Sequence, residues 1–486
     1  MIIKNKVIEG TLLLSGGRLA ERGLQFLRNM IVARLVSPED FGIAALFVLT
    51  VNFLEMISNL AVDTLLIQSP DGDNPRFQQT SQFIVAVRGL GISLILFFFA
   101  TPMAQLFNIP KASWAFRFLA LVPFIRGLAH QDISRLQRSM NFRPLLLADI
   151  SSQFVSVLLA WPIASRLGNY SALLYLLLLQ NLTRVVFSHL FSERPYRWGW
   201  DPVYARAILS FGWPLLINGI LFFLIMQGDR FVIGAADSLF SRETYSKTQL
   251  GYYSAAFLLA STVIDGIVSI LSPVMLPLLS RVQDDNKIFQ EKSRLCVSLS
   301  ALIVCILGIY FIIAGGWLLI IVYGKQYEDG VSLMAWLGVS FSLRLFRISF
   351  STIALSKGDS PIMTITNSFR VVSFLLAFLV AAYGLPIVWI AASALIGELL
   401  AIIVNIWLLK QRLGLPLSLL TKPILLISST LLVGIIGWVS GLSMANHFIQ
   451  LLISVILSFG IAGLFIILFP EFRSKLFEII SIAKGQ

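Results

Sequence analysis

Charged residues are scarce in this chain of 486 residues: Asp, Glu, Lys and Arg make up 13% of it, while 57% of it is hydrophobic. A soluble domain is nearer half apolar and a quarter charged, so an apolar excess of this size has to face lipid. The apolar residues form long unbroken runs, which excludes a membrane β-barrel because its strands alternate in polarity. We therefore predict an all-α polytopic membrane protein.

Cysteine, histidine and enzyme motifs are also scarce. The chain has 2 Cys and 3 His, and Cys296 and Cys305 fall in one apolar segment, which argues against a disulfide framework. The sequence contains no Gly-rich phosphate loop, no zinc-ligand spacing and no hydrolase elbow. We therefore expect a protein that is not an enzyme and that has no catalytic residues, no metal site and no cofactor. A cleavable signal peptide is not expected either, because charged residues interrupt the first apolar run.

Fourteen hydrophobic segments account for most of the chain, and each is long enough to cross a membrane as a helix. The links between them are short and contain helix breakers such as Ser37-Pro38-Glu39-Asp40. No link is long enough to form a separate soluble domain, so any function has to lie within the helical bundle. The segments are 10–36, 41–68, 78–107, 113–136, 144–167, 170–191, 205–236, 250–280, 294–323, 329–355, 361–383, 385–409, 419–442 and 447–469.

The distribution of basic residues predicts the orientation. With the N-terminus inside, the inner links and tails hold about twenty Lys and Arg and the outer links about six. Both termini are then predicted to be cytoplasmic, in a multi-pass protein of the bacterial cytoplasmic (inner) membrane. The net charge of +12 is explained by this bias, and no nucleic-acid partner is expected.

An internal repeat indicates how the segments are grouped. Segment one ends Asn29-Met30-Ile31-Val32-Ala33 and leads to Phe41-Gly42, whereas segment seven ends Asp229-Arg230-Phe231-Val232-Ile233 and leads to Leu250-Gly251. Repeats of this kind are a common plan of transporters. We predict two six-helix lobes, residues 1–198 and 199–412, and two extra helices with a cytoplasmic tail at 413–486.

Polar residues recur at helical spacing on several of these segments, and an ionisable residue in lipid usually faces a cavity or a partner. The stripes predict one wet cavity between the lobes, with substrate-binding residues Arg18, Arg22, Gln25, Arg28, Asn52, Asn59, Arg344 and Arg347. The alternative is that these residues cap helices and extend towards headgroups. Arg88, Arg117, Arg184 and Arg370 each stand nearly alone on their segments, and we assign them this structural role.

The ionisable residues of the segments suggest what the cavity binds. The basic residues are arginines, whose planar guanidinium keeps its charge and fits phosphate with two parallel hydrogen bonds. The carboxylates either balance this charge or bind a coupling ion, and the sequence leaves both roles open. They are Glu21, Glu55, Asp63, Asp229 and Asp265.

The chain resembles the polysaccharide transporter family, the Wzx-type oligosaccharide flippases of the multidrug/oligosaccharidyl-lipid/polysaccharide (MOP) flippase superfamily. The resemblance covers most of residues 10–410 and is carried by short motifs in family order. They are Val32-Ala33-Arg34-Leu35-Val36, Asn59-Leu60-Ala61, Leu136-Gln137-Arg138-Ser139-Met140-Asn141-Phe142, Leu209-Ser210-Phe211-Gly212, Gly251-Tyr252-Tyr253-Ser254-Ala255, Arg281-Val282-Gln283-Asp284-Asp285 and Tyr323-Gly324-Lys325-Gln326-Tyr327. The resemblance implies a central cationic cavity and translocation of undecaprenyl-pyrophosphate-linked oligosaccharide from the inner to the outer leaflet.

We therefore predict a flippase that works by alternating access in the export of a surface polysaccharide such as O-antigen, lipopolysaccharide, capsule or exopolysaccharide. Its predicted partners are the lipid-linked oligosaccharide on its undecaprenyl pyrophosphate carrier, membrane lipids, and polysaccharide polymerase and export machinery. Three alternatives are a cation-coupled multidrug exporter of the same fold, a membrane glycan polymerase or ligase, and a scaffold that transports nothing. The excess of arginine argues against the first, the short outer links against the second, and the charged stripes against the third.

Overall fold

The computed structural model describes residues 2–416, 418–439 and 447–469, and over these residues the chain is helical and contains no strand. The prediction of an all-α protein is confirmed. The helices are α1 Ile2–Leu35, α2 Pro38–Ser58, α3 Val62–Gln68, α4 Pro75–Phe98, α5 Ala100–Leu106, α6 Ser113–Leu119, α7 Leu121–Gly127, α8 Asp132–Arg138, α9 Arg143–Leu167, α10 Ser171–Leu190, α11 Pro202–Phe240, α12 Lys247–Ser280, α13 Asn286–Ile313, α14 Gly315–Tyr323, α15 Val331–Ser356, α16 Pro361–Ala382, α17 Val388–Leu413, α18 Ser418–Val439 and α19 His447–Leu468.

Within the described residues, 12 helices are long and apolar enough to cross a membrane, and 13 if the bent stretch Pro110–Gly127 plus Asp132–Arg138 is one span. A polytopic membrane protein is thus confirmed, but the predicted count of fourteen is not. The predicted segment 10–36 is helical as part of α1. Its charged residues keep it below the hydropathy that a span requires.

The chain divides into two compact units. Unit 1 comprises Met1–Ser254 and Phe378–Ile387, and unit 2 comprises Ala255–Ala377 and Val388–Gln486. The two six-helix lobes expected from the repeat remain a prediction.

Two glycines of the sequence repeat pack against each other's helices inside unit 1. A Cβ on Gly42 of α2 would lie 2.1 Å from the carbonyl oxygen of Lys247, and a Cβ on Gly251 of α12 would lie 1.9 Å from that of Pro38. Real Cβ atoms do not approach backbone so closely, so only glycine allows α2 and the start of α12 to touch here. The sequence motifs Phe41-Gly42 and Leu250-Gly251 therefore mark a backbone-to-backbone crossing.

A break divides the predicted segment 41–68 into α2 and α3. Ala61 has the left-handed conformation, with φ 49° and ψ 40°, and its N–H donates to Asn59 Oδ1 over 2.9 Å. Helix α11 reaches the broken region through glycines: a Cβ on Gly212 would lie 2.8 Å from Leu60 Cα, and one on Gly219 would lie 2.0 Å from the carbonyl oxygen of Met56. Irregular backbone at membrane depth is tolerated where it is buried in protein or lines a water-filled cavity.

Helix α13 is the central helix of unit 2, where it packs against α15, α18 and α19. The Ser300 and Ser349 hydroxyls, 2.5 Å apart, hydrogen-bond α13 to α15. Cys296 and Cys305 are both free and buried on α13. This unit also contains an apolar cavity of ≈ 120 Å³ that has Trp336 and Leu431 in its wall.

Candidate functional site

A polar cavity of ≈ 530 Å³ lies within unit 1. Helices α1, α2, α3, α4, α7, α8, α9 and α10 contribute its walls, together with the break between α2 and α3. Four arginines and two carboxylates line it, so the lining itself carries an excess of positive charge. The lining residues are Arg18, Asn52, Glu55, Met56, Asn59, Asp63, Thr64, Ile67, Val85, Arg88, Arg126, Ala129, His130, Gln131, Ile133, Ser134, Gln137, Leu145 and Arg184.

Glu55 of α2 connects two of these arginines. One carboxylate oxygen lies 3.1 Å from Arg88 Nη2 on α4, and the other lies 3.7 Å from Arg126 Nη1 on α7. Arg126 Nε also donates to Asn181 Oδ1 over 2.6 Å. Arg88 reaches the carbonyl oxygen of Ser58, where α2 ends, over 3.4 Å. These contacts tie the broken helix to its neighbours and hold both guanidiniums at the cavity.

Asp149 of α9 forms the second ion-pair cluster. It accepts from Arg184 Nε on α10 over 2.6 Å, and Arg18 Nη1 on α1 lies 3.7 Å away. Arg18 also pairs with Glu21 over 3.1 Å. The Asp149 side chain is only 4% exposed, so this carboxylate supports Arg18 and Arg184 from behind the cavity wall.

The predicted residues of segments one and two divide into two groups. The first group lines the cavity and consists of Arg18, Asn52, Glu55, Asn59 and Asp63. The Asp63 carboxylate accepts a hydrogen bond from the Ser134 hydroxyl over 2.9 Å. The second group, Arg22, Gln25 and Arg28, is not part of the cavity wall. Arg22 and Gln25 are exposed on α1, whereas Arg28 is buried and donates to Asn29 and Gln180. The predicted roles of this second group stay predictions.

In unit 2, Arg347 is part of a closed ion-pair cluster. Arg347 Nε lies 2.8 Å from Glu398, and Arg370 Nη2 lies 2.6 Å from the other oxygen of the same carboxylate. All three side chains are buried. The Arg344 guanidinium lies 5.5 Å from the centre of the Phe341 ring. Substrate binding by Arg344 and Arg347 stays a prediction, and the contacts of Arg347 are those of a structural ion pair.

Asp229 and Asp265, the remaining predicted carboxylates, have separate environments. Asp229 of α11 accepts from the Tyr253 hydroxyl over 2.6 Å, and Asp265 is half-buried on α12. Whether either of them binds a coupling ion stays open.

Sequence reasoning missed several of the cavity arginines. It assigned Arg88 and Arg184 to a structural role because each is alone on its helix, yet both line the cavity. Arg126 had no assigned role, and Asp149 was not singled out. Spacing along one helix detects stripes, whereas these side chains come from separate helices and meet only through tertiary packing. The signal that could have found them is the presence of an arginine inside a membrane segment, which usually faces a cavity or a partner.

An all-helical polytopic fold with a charged, polar cavity among its membrane helices defines the class of membrane transport proteins. Comparison with known proteins identifies the family. A family model described as polysaccharide biosynthesis protein matches residues 31–332. The chain belongs to this family.

Two relatives of known sequence match at low identity. The succinoglycan biosynthesis transport protein ExoT of Rhizobium meliloti (strain 1021) is 24% identical over 65% of this chain, and the match spans 63% of ExoT. An uncharacterized membrane protein in the cps region of Klebsiella pneumoniae is 21% identical over 85% of this chain and 84% of its own length.

Two kinds of solved structure share the fold. The lipid II flippase MurJ in an inward closed conformation has a TM-score of 0.68 at 15% identity and covers 94% of this chain and 99% of its own. A MATE family multidrug resistance transporter of the MOP superfamily, in an inward-facing conformation, has a TM-score of 0.67 at 14% identity, covering 81% of this chain and 94% of its own. The family match confirms the resemblance to a polysaccharide family, and the two solved structures show that the chain shares their fold.

Proposed function

We propose that this protein flips an undecaprenyl-pyrophosphate-linked oligosaccharide across the bacterial cytoplasmic membrane, for the export of a surface polysaccharide. The pyrophosphate would bind arginines in the cavity of unit 1, and alternating access would expose the cavity first to one side of the membrane and then to the other. Polysaccharide polymerase and export machinery would take over the flipped product.

The cationic cavity is the observation that carries the proposal. Arg18, Arg88, Arg126 and Arg184 converge on it from separate helices. Charges are expensive in a bilayer and are kept where they face a functional cavity or a partner. Guanidinium is the side chain best suited to hold phosphoryl oxygens, because it keeps its charge on desolvation and offers paired donors. The cavity volume lies in the range of small-molecule sites.

The relatives support the same substrate class. ExoT is named as a transport protein of succinoglycan biosynthesis, and MurJ is named as a flippase of lipid II. Both names point to glycan-containing substrates.

A cation-coupled multidrug exporter is the second candidate, because MATE transporters share the fold. Such an exporter has to accept cationic molecules, and the surplus of arginine in this cavity would repel them. The two candidates therefore differ in the sign of the charge that the cavity attracts.

A reconstituted flipping assay tests the proposal. Full-length protein in liposomes is given a labelled oligosaccharide on an isoprenoid pyrophosphate, and the fraction reaching the opposite leaflet is measured with an impermeant lectin or enzyme. Liposomes without protein are the control. We expect flipping of the pyrophosphate-linked glycan and no transport of a cationic dye. Dye transport without glycan flipping would favour the multidrug exporter.

Reporter fusions test the proposed orientation, in which both termini are cytoplasmic. A reporter placed after Lys247, which lies in the predicted outer link 237–249, should report the side opposite to a reporter placed after Gln486. Reporters that give the same side would contradict the proposed topology.

A further inference from the structure

The interhelical arginine–carboxylate pairs of the described helices differ in how tightly they are closed. Asp149 and Arg184 are 2.6 Å apart. Glu398 is 2.6 Å from Arg370 and 2.8 Å from Arg347. These are the distances of charge-assisted hydrogen bonds. Their carboxylates are only 4% and 8% exposed, so these carboxylates do not open onto a cavity, although Arg184 itself is 37% exposed and lines the cavity of unit 1.

The two ion pairs of Glu55 are longer than these, and the Glu55 carboxylate is more exposed. Its oxygens lie 3.1 Å from Arg88 and 3.7 Å from Arg126, and the second distance is beyond hydrogen-bonding range. The Glu55 side chain is 18% exposed, and the two arginines are 21% and 31% exposed. The three side chains line the same cavity. This ion pair is therefore loose and can be reached by a ligand in the cavity.

The carboxylate takes a position suited to an oxyanion. It lies between guanidiniums from two different helices and gives one oxygen to each of them. Neither contact is the paired, two-bond arrangement that arginine makes with carboxylate or phosphate. A phosphoryl group has more oxygens and more charge than a carboxylate, so it can satisfy both guanidiniums better than Glu55 does.

We propose that Glu55 is an internal ligand that holds the anion site of the cavity until the phosphoryl group of the substrate displaces it. Arg88 and Arg126 then exchange the carboxylate for phosphoryl oxygens, with no change in covalent bonding. The displaced carboxylate remains on α2 close to the bound anion and repels it, which weakens binding. A transport site has to release what it binds, and an internal competitor provides that release. The substrate in this inference rests on the proposed function.

Binding of inorganic pyrophosphate to the full-length protein in detergent tests the exchange. Glu55→Gln keeps the size of the side chain and removes its charge, so we expect the dissociation constant to fall by about tenfold or more, the effect of one charged contact. Asp359→Asn is the matched control. It removes one negative charge from a pair with Arg412, 3.2 Å away in unit 2, and should leave the dissociation constant unchanged.

An unchanged or weaker affinity in folded Glu55→Gln protein would overturn the inference and leave Glu55 as a neutralising partner of the arginines. A second variant serves if Glu55→Gln does not fold. Glu55→Asp keeps the charge on a shorter side chain, which lengthens contacts that are already 3.1 and 3.7 Å. It should bind pyrophosphate more tightly than the unmodified protein, and the inference fails if it does not.

The source of the phosphoryl group is tested by competition. Farnesyl pyrophosphate should displace bound pyrophosphate, as expected for an isoprenoid carrier, and phosphatidylglycerol should not. The reverse result would assign the site to a membrane phospholipid and overturn the carrier part of the inference.

Failure of the proposed function can be told apart from failure of this inference. Tighter pyrophosphate binding in Glu55→Gln, with no flipping by the unmodified protein, would retain the exchange and reject the flippase. Flipping by the unmodified protein, with no change of affinity in Glu55→Gln, would retain the flippase and reject the exchange.

Discussion

Replacing Arg126 by alanine separates a ligand-binding arginine from a structural one. The Arg126 side chain is 31% exposed in the cavity. Its loss does not strand Glu55, because Arg88 remains 3.1 Å from that carboxylate. Asn181 loses the donor at 2.6 Å but keeps its own bond to the carbonyl oxygen of Leu177. We therefore expect a small loss of stability, of about 1 kcal/mol.

The expected loss of binding is larger. One charge-assisted hydrogen bond contributes about 1.5–3 kcal/mol, and each 1.4 kcal/mol is roughly tenfold in affinity. Arg126→Ala should therefore raise the dissociation constant for pyrophosphate by about tenfold to a hundredfold. Arg126→Lys should restore only part of it, because an ammonium keeps the charge but lacks the planar fork.

Arg370→Ala is the control for a buried arginine. Arg370 lies 2.6 Å from Glu398 in unit 2, and both side chains are 8% exposed. Glu398 keeps its second partner, Arg347, at 2.8 Å, so the variant loses one buried charge-assisted contact, about 1.5–3 kcal/mol, and should unfold at a lower temperature. Protein that remains folded should bind pyrophosphate normally.

Calorimetric titration with pyrophosphate and thermal unfolding of the same samples measure both quantities. Equal affinity in Arg126→Ala and the unmodified protein would refute the anion-binding role of the cavity. So would a matching loss of affinity in folded Arg370→Ala.

Three further predictions concern backbone contacts and the predicted stripe. Gly42→Ala and Gly251→Ala each place a Cβ about 2 Å from a backbone oxygen. Such overpacking costs about 1–3 kcal/mol or more, so the yield of folded protein should fall. Gly23→Ala is the control, because nothing lies within 4 Å of its Cβ, and it should leave the yield unchanged. Ala61 has a φ of 49°, a conformation that glycine adopts readily and β-branched residues disfavour. Ala61→Gly should therefore keep or slightly raise the unfolding temperature, and Ala61→Val should lower it. Arg22→Ala should abolish flipping at normal protein abundance if the stripe on α1 binds pyrophosphate, and normal flipping per folded molecule would contradict that role.

The sequence predicted the helices well because their signal is local. A run of apolar residues with a breaker at each end defines a helix without reference to the rest of the chain. The motif Ser37-Pro38-Glu39-Asp40 illustrates this: Ser37 caps α2 by accepting from the N–H of Asp40, and Pro38 is the first residue of the helix. Local composition also explains why the count of fourteen is not confirmed, since the charges of α1 reduce its hydropathy.

The break between α2 and α3 could not be predicted in the same way. Asn59-Leu60-Ala61 contains neither glycine nor proline, so the local signal there favours a continuous helix. The left-handed Ala61 costs roughly 1–2 kcal/mol, and the surrounding contacts have to offset that cost. Gly212 and Gly219 bring the backbone of α11 onto this region, and Arg88 reaches the end of α2. The two glycines lie more than a hundred residues along the chain, and Arg88 belongs to another helix, α4. The sequence near the break therefore gives no sign of the contacts that stabilise it.

Helical periodicity can predict only some of the residues that line the cavity. The residues Asn52, Glu55 and Asn59 of the α2 stripe all line the cavity of unit 1, because residues three or four apart share one face of a helix. The charge that opposes this stripe comes from single arginines on other helices, Arg88 and Arg126, and a single residue has no period. A more general rule covers both cases: an intramembrane charge needs a partner even when it is alone on its helix. Applied to Glu55, that rule requires a cation from a neighbouring helix. The basic candidates inside the segments are arginines, so the rule makes lone arginines the first residues to examine rather than the last.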